Sequence, residues 1–201
     1  MSQHLPRPEL WLVRHGETEW SAAGRHSGWT DLALTDVGEA QARAVGHLLR
    51  DSTFSRVFTS PLARAAVTAR LAGYPAAERL DDLREWNYGH DEGRTTADIR
   101  MERPGWSVWR EGPLGGETAA EVGARVDRVI NLARSMDGRT LLFAHAHVLR
   151  VLAARWVELA PTDGCRFVLN TATVSVLGWE RETPVILRWN AGAGNPDGAS
   201  D

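Results

Sequence analysis

Leu10-Trp11-Leu12-Val13 runs directly into Arg14-His15-Gly16-Glu17-Thr18, and this stretch decides the fold. Its apolar residues are continuous instead of spaced at 3.6, so Glu9–Val13 reads as a short buried strand. The carboxyl end of that strand presents an arginine and a histidine, and Gly16 lets the chain turn away. Two other apolar runs read the same way. Arg56–Thr59 leads into Ser60-Pro61, where Pro61 suits the first turn of a helix that carries Arg64. Arg139–Ala144 delivers His145, and Val174–Trp179 and Val185–Trp189 close the chain as strands. Three helical stripes intervene: Val37, Ala40, Ala44 and Leu48; Val122, Val126, Val129 and Ala133; and Val148, Leu152, Trp156 and Leu159. The second begins with a capping box, Thr118 and Glu121. Strands separated by helices imply an α/β sandwich with a mostly parallel sheet. Ligands bind beyond the carboxyl ends of such strands. His15, His145, Arg14 and Arg64 are therefore expected at one sheet edge.

Composition narrows the chemistry. The 201 residues suit one domain over 9–190, with disordered ends expected at 1–8 and 191–201. No apolar run approaches the ~20 residues of a membrane-spanning helix. The first eight residues lack an apolar signal core, and the lone Cys165 has no disulfide partner, so a reducing cytoplasm is expected. A net charge of −3 gives no electrostatic footprint for nucleic acid or a membrane surface. All 23 basic residues are arginine. Without lysine there is no pyridoxal Schiff base, no Walker-type lysine and no kinase-type strand lysine. Phosphate chemistry here must rest on arginine, histidine and backbone amides.

Arg14-His15-Gly16-Glu17-Thr18 resembles the signature of the histidine phosphatase superfamily, which includes the cofactor-dependent phosphoglycerate mutases. The resemblance continues through Gly28–Thr35, Ser60–Ala65, Glu85–Gly89, Gly115–Thr118 and Phe143–His145, in family order. It is nearest to the acid phosphatase and sugar-bisphosphatase branch, where a stretch like Tyr88–Gly93 recurs. The resemblance implies a three-layer α/β/α sandwich and hydrolysis of a small phosphorylated metabolite, with no cofactor. It also implies catalytic roles for His15, Glu85 and His145. His15 would be the nucleophile, Glu85 the proton donor to the leaving oxygen, and His145, if protonated, a further donor to phosphate. Arg14 and Arg64 would clamp the phosphoryl oxygens, with the Ala146 amide assisting and Ser21, Ser27 and Gly28 lining the phosphate and substrate side.

Several readings stay open on sequence alone. A phosphoglycerate mutase-type isomerase is the alternative. It is disfavoured by Thr95 and Thr96, where mutases carry asparagine and lysine, and by the short Gly93–Gly115 segment without adjacent arginines. That segment is expected to make the selective substrate contacts. His145 and His147 are spaced like a metal pair, yet no carboxylate or cysteine joins them at ligand spacing, so no metal is expected. His26 and His90 read as incidental, and His147 as packing beside the site. Of the loop tryptophans 20, 29, 86, 106 and 109, one or two could wall the pocket. Glu117 reads as favouring a helix N-terminus. The sequence leaves the oligomeric state open, with a homodimer as one option.

Overall fold

The computed structural model describes residues 7–192. Most of both expected disordered ends lies outside this range. Within it, the Arg7 guanidinium stands over the Trp179 ring at 4.9 Å, and the Pro8 carbonyl accepts from Trp179 Nε1 at 3.0 Å. The elements in chain order are β1 (Glu9–Arg14), α1 (Glu19–Ala22), α2 (Asp36–Leu49), β2 (Arg56–Thr59), α3 (Ala63–Leu71) and β3 (Glu78–Arg79). There follow α4 (Thr96–Glu102), α5 (Ala119–Arg134), β4 (Arg139–Ala144), α6 (Ala146–Trp156), β5 (Val174–Glu180) and β6 (Thr183–Ala191). No described helix is long and apolar enough to cross a membrane.

One six-stranded sheet has the order β3-β2-β4-β1-β5-β6. The first four of these strands are mutually parallel, whereas β5 runs antiparallel to β1 and β6 antiparallel to β5. The sheet is thus mixed, with its parallel half carrying the strand ends of interest. β5 and β6 are joined by a tight turn, which forces them antiparallel.

Period-2 alternation sorts the strand residues between two faces. Leu10, Leu12, Phe58 and Leu142 pack with α5 and α6 through Val122, Val126, Val148 and Leu152. Val13, Leu141 and Phe143 pack on the opposite face with Val45, Leu49 and Ala69 of α2 and α3. This is the three-layer α/β/α sandwich. The α5 stripe lies wholly in the core, and Thr118 and Glu121 form the capping box.

Three expectations about the helices need correction. Pro61 precedes α3 instead of forming its first turn. Leu159 lies beyond α6 and is exposed, because the helix ends at Trp156. The third concerns α2, which buries Gly38, Ala42, Val45 and Leu49, leaving Val37 and Leu48 exposed. The expected stripe faces outward because two glycines set the helix rotation. A Cβ on Gly16 would stand 2.2 Å from the Gly38 carbonyl oxygen, and one on Gly38 would stand 2.1 Å from the Glu17 carbonyl oxygen. Backbone-to-backbone contact after β1 pins the Gly38 face of α2 inward. Ala42, Val45 and Leu49, spaced three and four residues apart, mark the same face in the sequence.

Candidate active site

Strand register brings the chemistry together. Arg14 of β1 pairs with Ala144 of β4, and Thr59 of β2 pairs with Phe143. The residues that follow, His15, His145 and Ser60, therefore emerge side by side at the carboxyl edge. The His15 and His145 ring centroids are 5.1 Å apart. His15 is buried, and its Nδ1 lies 2.7 Å from the Gly16 carbonyl. A carbonyl only accepts, so Nδ1 carries the proton and the lone pair is on Nε2. Burial above all, then Arg64 and Arg14, hold the His15 pKa well below the usual imidazole value. Its ring is neutral. Thr68 braces the turn by accepting from Gly16 N at 3.0 Å while donating to the Arg64 carbonyl.

A cavity of about 260 Å³ opens over this edge, lined by His15, Arg14, Arg64, Glu85 and Ala146 among others. Arg14 donates from Nη1 to the Leu169 carbonyl at 2.6 Å, but its buried Nε has no hydrogen-bond partner. The Arg14 guanidinium is thus only partly committed to protein acceptors, and its residue lines the cavity. Arg64 is held by the Thr30 and Gly28 carbonyls, at 2.9 and 2.7 Å, and by His145 Nδ1 at 3.1 Å. Ala146 is the first residue of α6, so its amide sits at the positive end of the helix.

Glu85 approaches from the other side, buried and ordered by main-chain donors. Its Oε1 accepts from Trp86 N and Val148 N at 2.9 Å each, and its Oε2 from His147 N at 3.1 Å. The segment carrying it is held by Arg125 of α5, which donates to the carbonyls of Asp82, Arg84 and Glu85. Arg125 is in turn paired with Glu117 through Nε at 2.8 Å and Nη2 at 3.0 Å.

With that geometry in hand, the sequence profile described as histidine phosphatase superfamily (branch 1) matches residues 10–192. The chain belongs to the histidine phosphatase superfamily. It is 43% identical over 175 residues to an acid phosphatase of Mycobacterium tuberculosis, covering 85% of this chain and 86% of that one. It is 37% identical over 195 residues to a sedoheptulose 1,7-bisphosphatase of Saccharomyces cerevisiae, covering 80% of this chain and 72% of that one. The solved structure of the product of a Mycobacterium tuberculosis open reading frame superposes with a TM-score of 0.89 at 38% identity. That match covers 92% of this chain and 98% of the other.

Within this histidine phosphatase scaffold, not every expected residue reaches the cavity. Arg14, His15, Ser21, Ser27, Arg64, Glu85 and Ala146 line it; His145 and Gly28 do not. His145 is fully buried, with Nδ1 accepting from Arg64 Nε and Nε2 2.8 Å from Ser60 Oγ. Accepting at Nδ1 requires the neutral ring, and burial followed by Arg64 holds its pKa well below the usual value. The expectation of a protonated third donor is therefore corrected: His145 stands behind Arg64. Gly28 offers its carbonyl to Arg64 and has a φ of 50°, while a Cβ there would strike Glu92 Oε1 at 2.1 Å. Ser21 donates its hydroxyl to the Thr18 carbonyl in the capping box of α1, so its proton is already committed.

The walls differ from expectation too. No residue of Gly93–Gly115 lines the cavity; Arg25, His26, Tyr88, His147, Arg150 and Leu169 do. His26 and His147, expected to be incidental or merely packed, are thus wall residues, whereas His90 is exposed elsewhere. His147 Nδ1 lies 2.7 Å from the Tyr88 hydroxyl and 3.9 Å from Glu85 Oε2. None of the loop tryptophans lines the cavity, although Trp109 backs Arg150 at 4.6 Å. Glu117 serves Arg125 and Asn87 N instead of a helix N-terminus. Arg150 was legible in principle, four residues past Ala146 and hence on its helix face; Leu169 left no local signal. Among the described residues no group of three His, Cys, Asp or Glu could hold a metal ion.

Proposed function

We propose that this chain hydrolyses a small phosphomonoester through a phosphohistidine formed on His15. The observation that carries the reading is the neutral His15 ring, its Nδ1 proton fixed on the Gly16 carbonyl, in one cavity with the orphaned Nε of Arg14. The free lone pair on Nε2 attacks phosphorus, and the bond to the ester oxygen breaks. Arg14, Arg64 and the Ala146 amide stabilise charge on the nonbridging oxygens, where most of the catalysis of phosphoryl transfer lies. Protonated Glu85 supplies the proton to the departing oxygen. Oε1 accepts two amides and Oε2 one, so Oε2 is the oxygen with room for the transferable proton. Water then attacks the phosphohistidine, yields its proton to Glu85, and the P–N bond breaks to restore neutral His15. His145 acts through Arg64, whose fork it orients.

Hydrolysis fits better than return of the phosphoryl group to substrate. Thr95 caps α4 and Thr96 bonds His26, so the two positions where mutases differ serve local structure. No arginine of the 94–115 segment reaches the cavity. Replacing His15 with alanine removes release of phosphate from p-nitrophenyl phosphate, with a loss of about 10⁴-fold or more. Substantial residual turnover refutes the nucleophile.

A further inference from the structure

We propose that Glu92 is a positioning residue for the phosphate clamp: its carboxylate fixes the Gly28–Thr30 turn, and the carbonyls of that turn aim the Arg64 guanidinium at the phosphoryl oxygens. The inference rests on the phosphatase reading and adds to it a group outside the cavity wall, since Glu92 does not line the cavity.

Glu92 belongs to the Tyr88–Gly93 stretch, and the chain just after it lies antiparallel to residues 25 and 26. Gly93 N donates to the His26 carbonyl at 2.8 Å, His26 N donates to the Arg94 carbonyl at 2.9 Å, and Arg25 bridges Thr95. Main-chain pairing stops there, and the Glu92 side chain carries it on. Its Oε1 accepts from Trp29 N at 2.7 Å, and its Oε2 accepts from Thr30 N at 2.9 Å and from the Thr30 hydroxyl. Both carboxylate oxygens are thus committed to one turn. The turn is shaped for them. Gly28 has a φ of 50°, and a Cβ there would stand 2.1 Å from Glu92 Oε1, so only glycine lets the carboxylate seat itself.

The other side of the turn bears on the clamp. Arg64 donates from Nη2 to the Gly28 carbonyl at 2.7 Å and from Nη1 to the Thr30 carbonyl at 2.9 Å, while its Nε donates to His145. A guanidinium has five N–H donors, so one on each Nη remains for a phosphoryl oxygen. The direction of those two donors follows from where the two carbonyls stand, and therefore from Glu92. Asp31 ties the same turn to the helix that carries Arg64: its Oδ1 accepts from Ala63 N, the first residue of α3, at 2.8 Å. Turn, helix and clamp form one hydrogen-bonded unit. The rate of a positioned reaction falls steeply when its donors are displaced by as little as about 1 Å, so a carboxylate outside the cavity governs it through the turn.

The test is a double-mutant cycle on Glu92 and Arg64, read by titration calorimetry with orthovanadate and by steady-state kinetics with p-nitrophenyl phosphate. A glutamine side chain offers one acceptor oxygen and turns an NH2 group toward the N–H donors of the turn. Glu92→Gln therefore weakens orthovanadate binding and lowers kcat/KM, each by about 30-fold. In an Arg64→Gln background the same change costs less than about twofold, because the group that Glu92 aims is already gone. Equal losses in the two backgrounds mean a structural role unconnected with the clamp and overturn the proposal, as does wild-type behaviour of Glu92→Gln. Thr30→Val removes only the hydroxyl bond and lowers both readouts by about threefold. It takes the place of Glu92→Gln in the cycle if that protein does not fold, and the same outcomes then decide. Failure of the wild-type protein to hydrolyse p-nitrophenyl phosphate is a separate result, which sinks the phosphatase reading and leaves the orthovanadate affinities to judge Glu92.

Discussion

Arg14 shares the cavity with Glu85 and Arg125 holds the segment that carries it, and they differ in how completely their N–H groups are used. Arg125 has a carboxylate partner in Glu117 and three carbonyl acceptors. Arg14 has one carbonyl, on Leu169, and a buried Nε with none. A satisfied guanidinium adds rigidity to the fold; an unsatisfied one leaves the fold a debt that a ligand settles.

The largest expected effect tests the open arginine. Arg14→Ala lowers kcat/KM for p-nitrophenyl phosphate by about 10³-fold, roughly 4 kcal/mol of transition-state stabilisation, while the melting temperature moves by only a few degrees. Steady-state kinetics beside a thermal melt reads both, and a variant that loses stability but keeps activity reverses the assignment. Next comes the closed arginine. Arg125→Ala strands the Glu117 carboxylate and three carbonyls, for a loss of about 3 kcal/mol in urea unfolding. Wild-type stability there would mean that the cluster does not hold the Glu85 segment.

The smallest effect concerns pH. Burial first, and then the arginines, depress the His15 and His145 pKa values well below 6.5. A depressed folded-state value means that the unfolded chain takes up protons first as pH falls. Stability is therefore full above about pH 6.5 and declines as the medium becomes more acid, which denaturant titrations between pH 7.5 and 5 would register. Arg64→Gln removes one cause of the depression at His15, so the acid limb of kcat/KM moves to higher pH. A limb that stays in place or moves the other way would show that Arg64 does not help keep the nucleophile neutral.

Much was written in local sequence. Leu10–Val13 followed by Arg14-His15, and Thr140–Ala144 followed by His145, announce a strand and its terminal chemistry within a few adjacent residues. Thr118 and Glu121 mark the start of α5 for the same reason, since a capping box closes within one turn. Such features survive because the groups that interact are neighbours along the chain.

The close seating of α2 on the turn after β1, the neutral state of His145 and the cavity wall were settled only when distant segments met. Gly16 and Gly38 touch through backbone, so no side-chain pattern records their contact. His145 loses its proton because burial and Arg64 converge on it, and Arg64 belongs to another strand's connection. Arg150 and Leu169 become wall residues through packing of α6 and the segment before β5. Desolvation and the tally of unpaired N–H groups belong to the assembled molecule, because each depends on what every other segment places nearby.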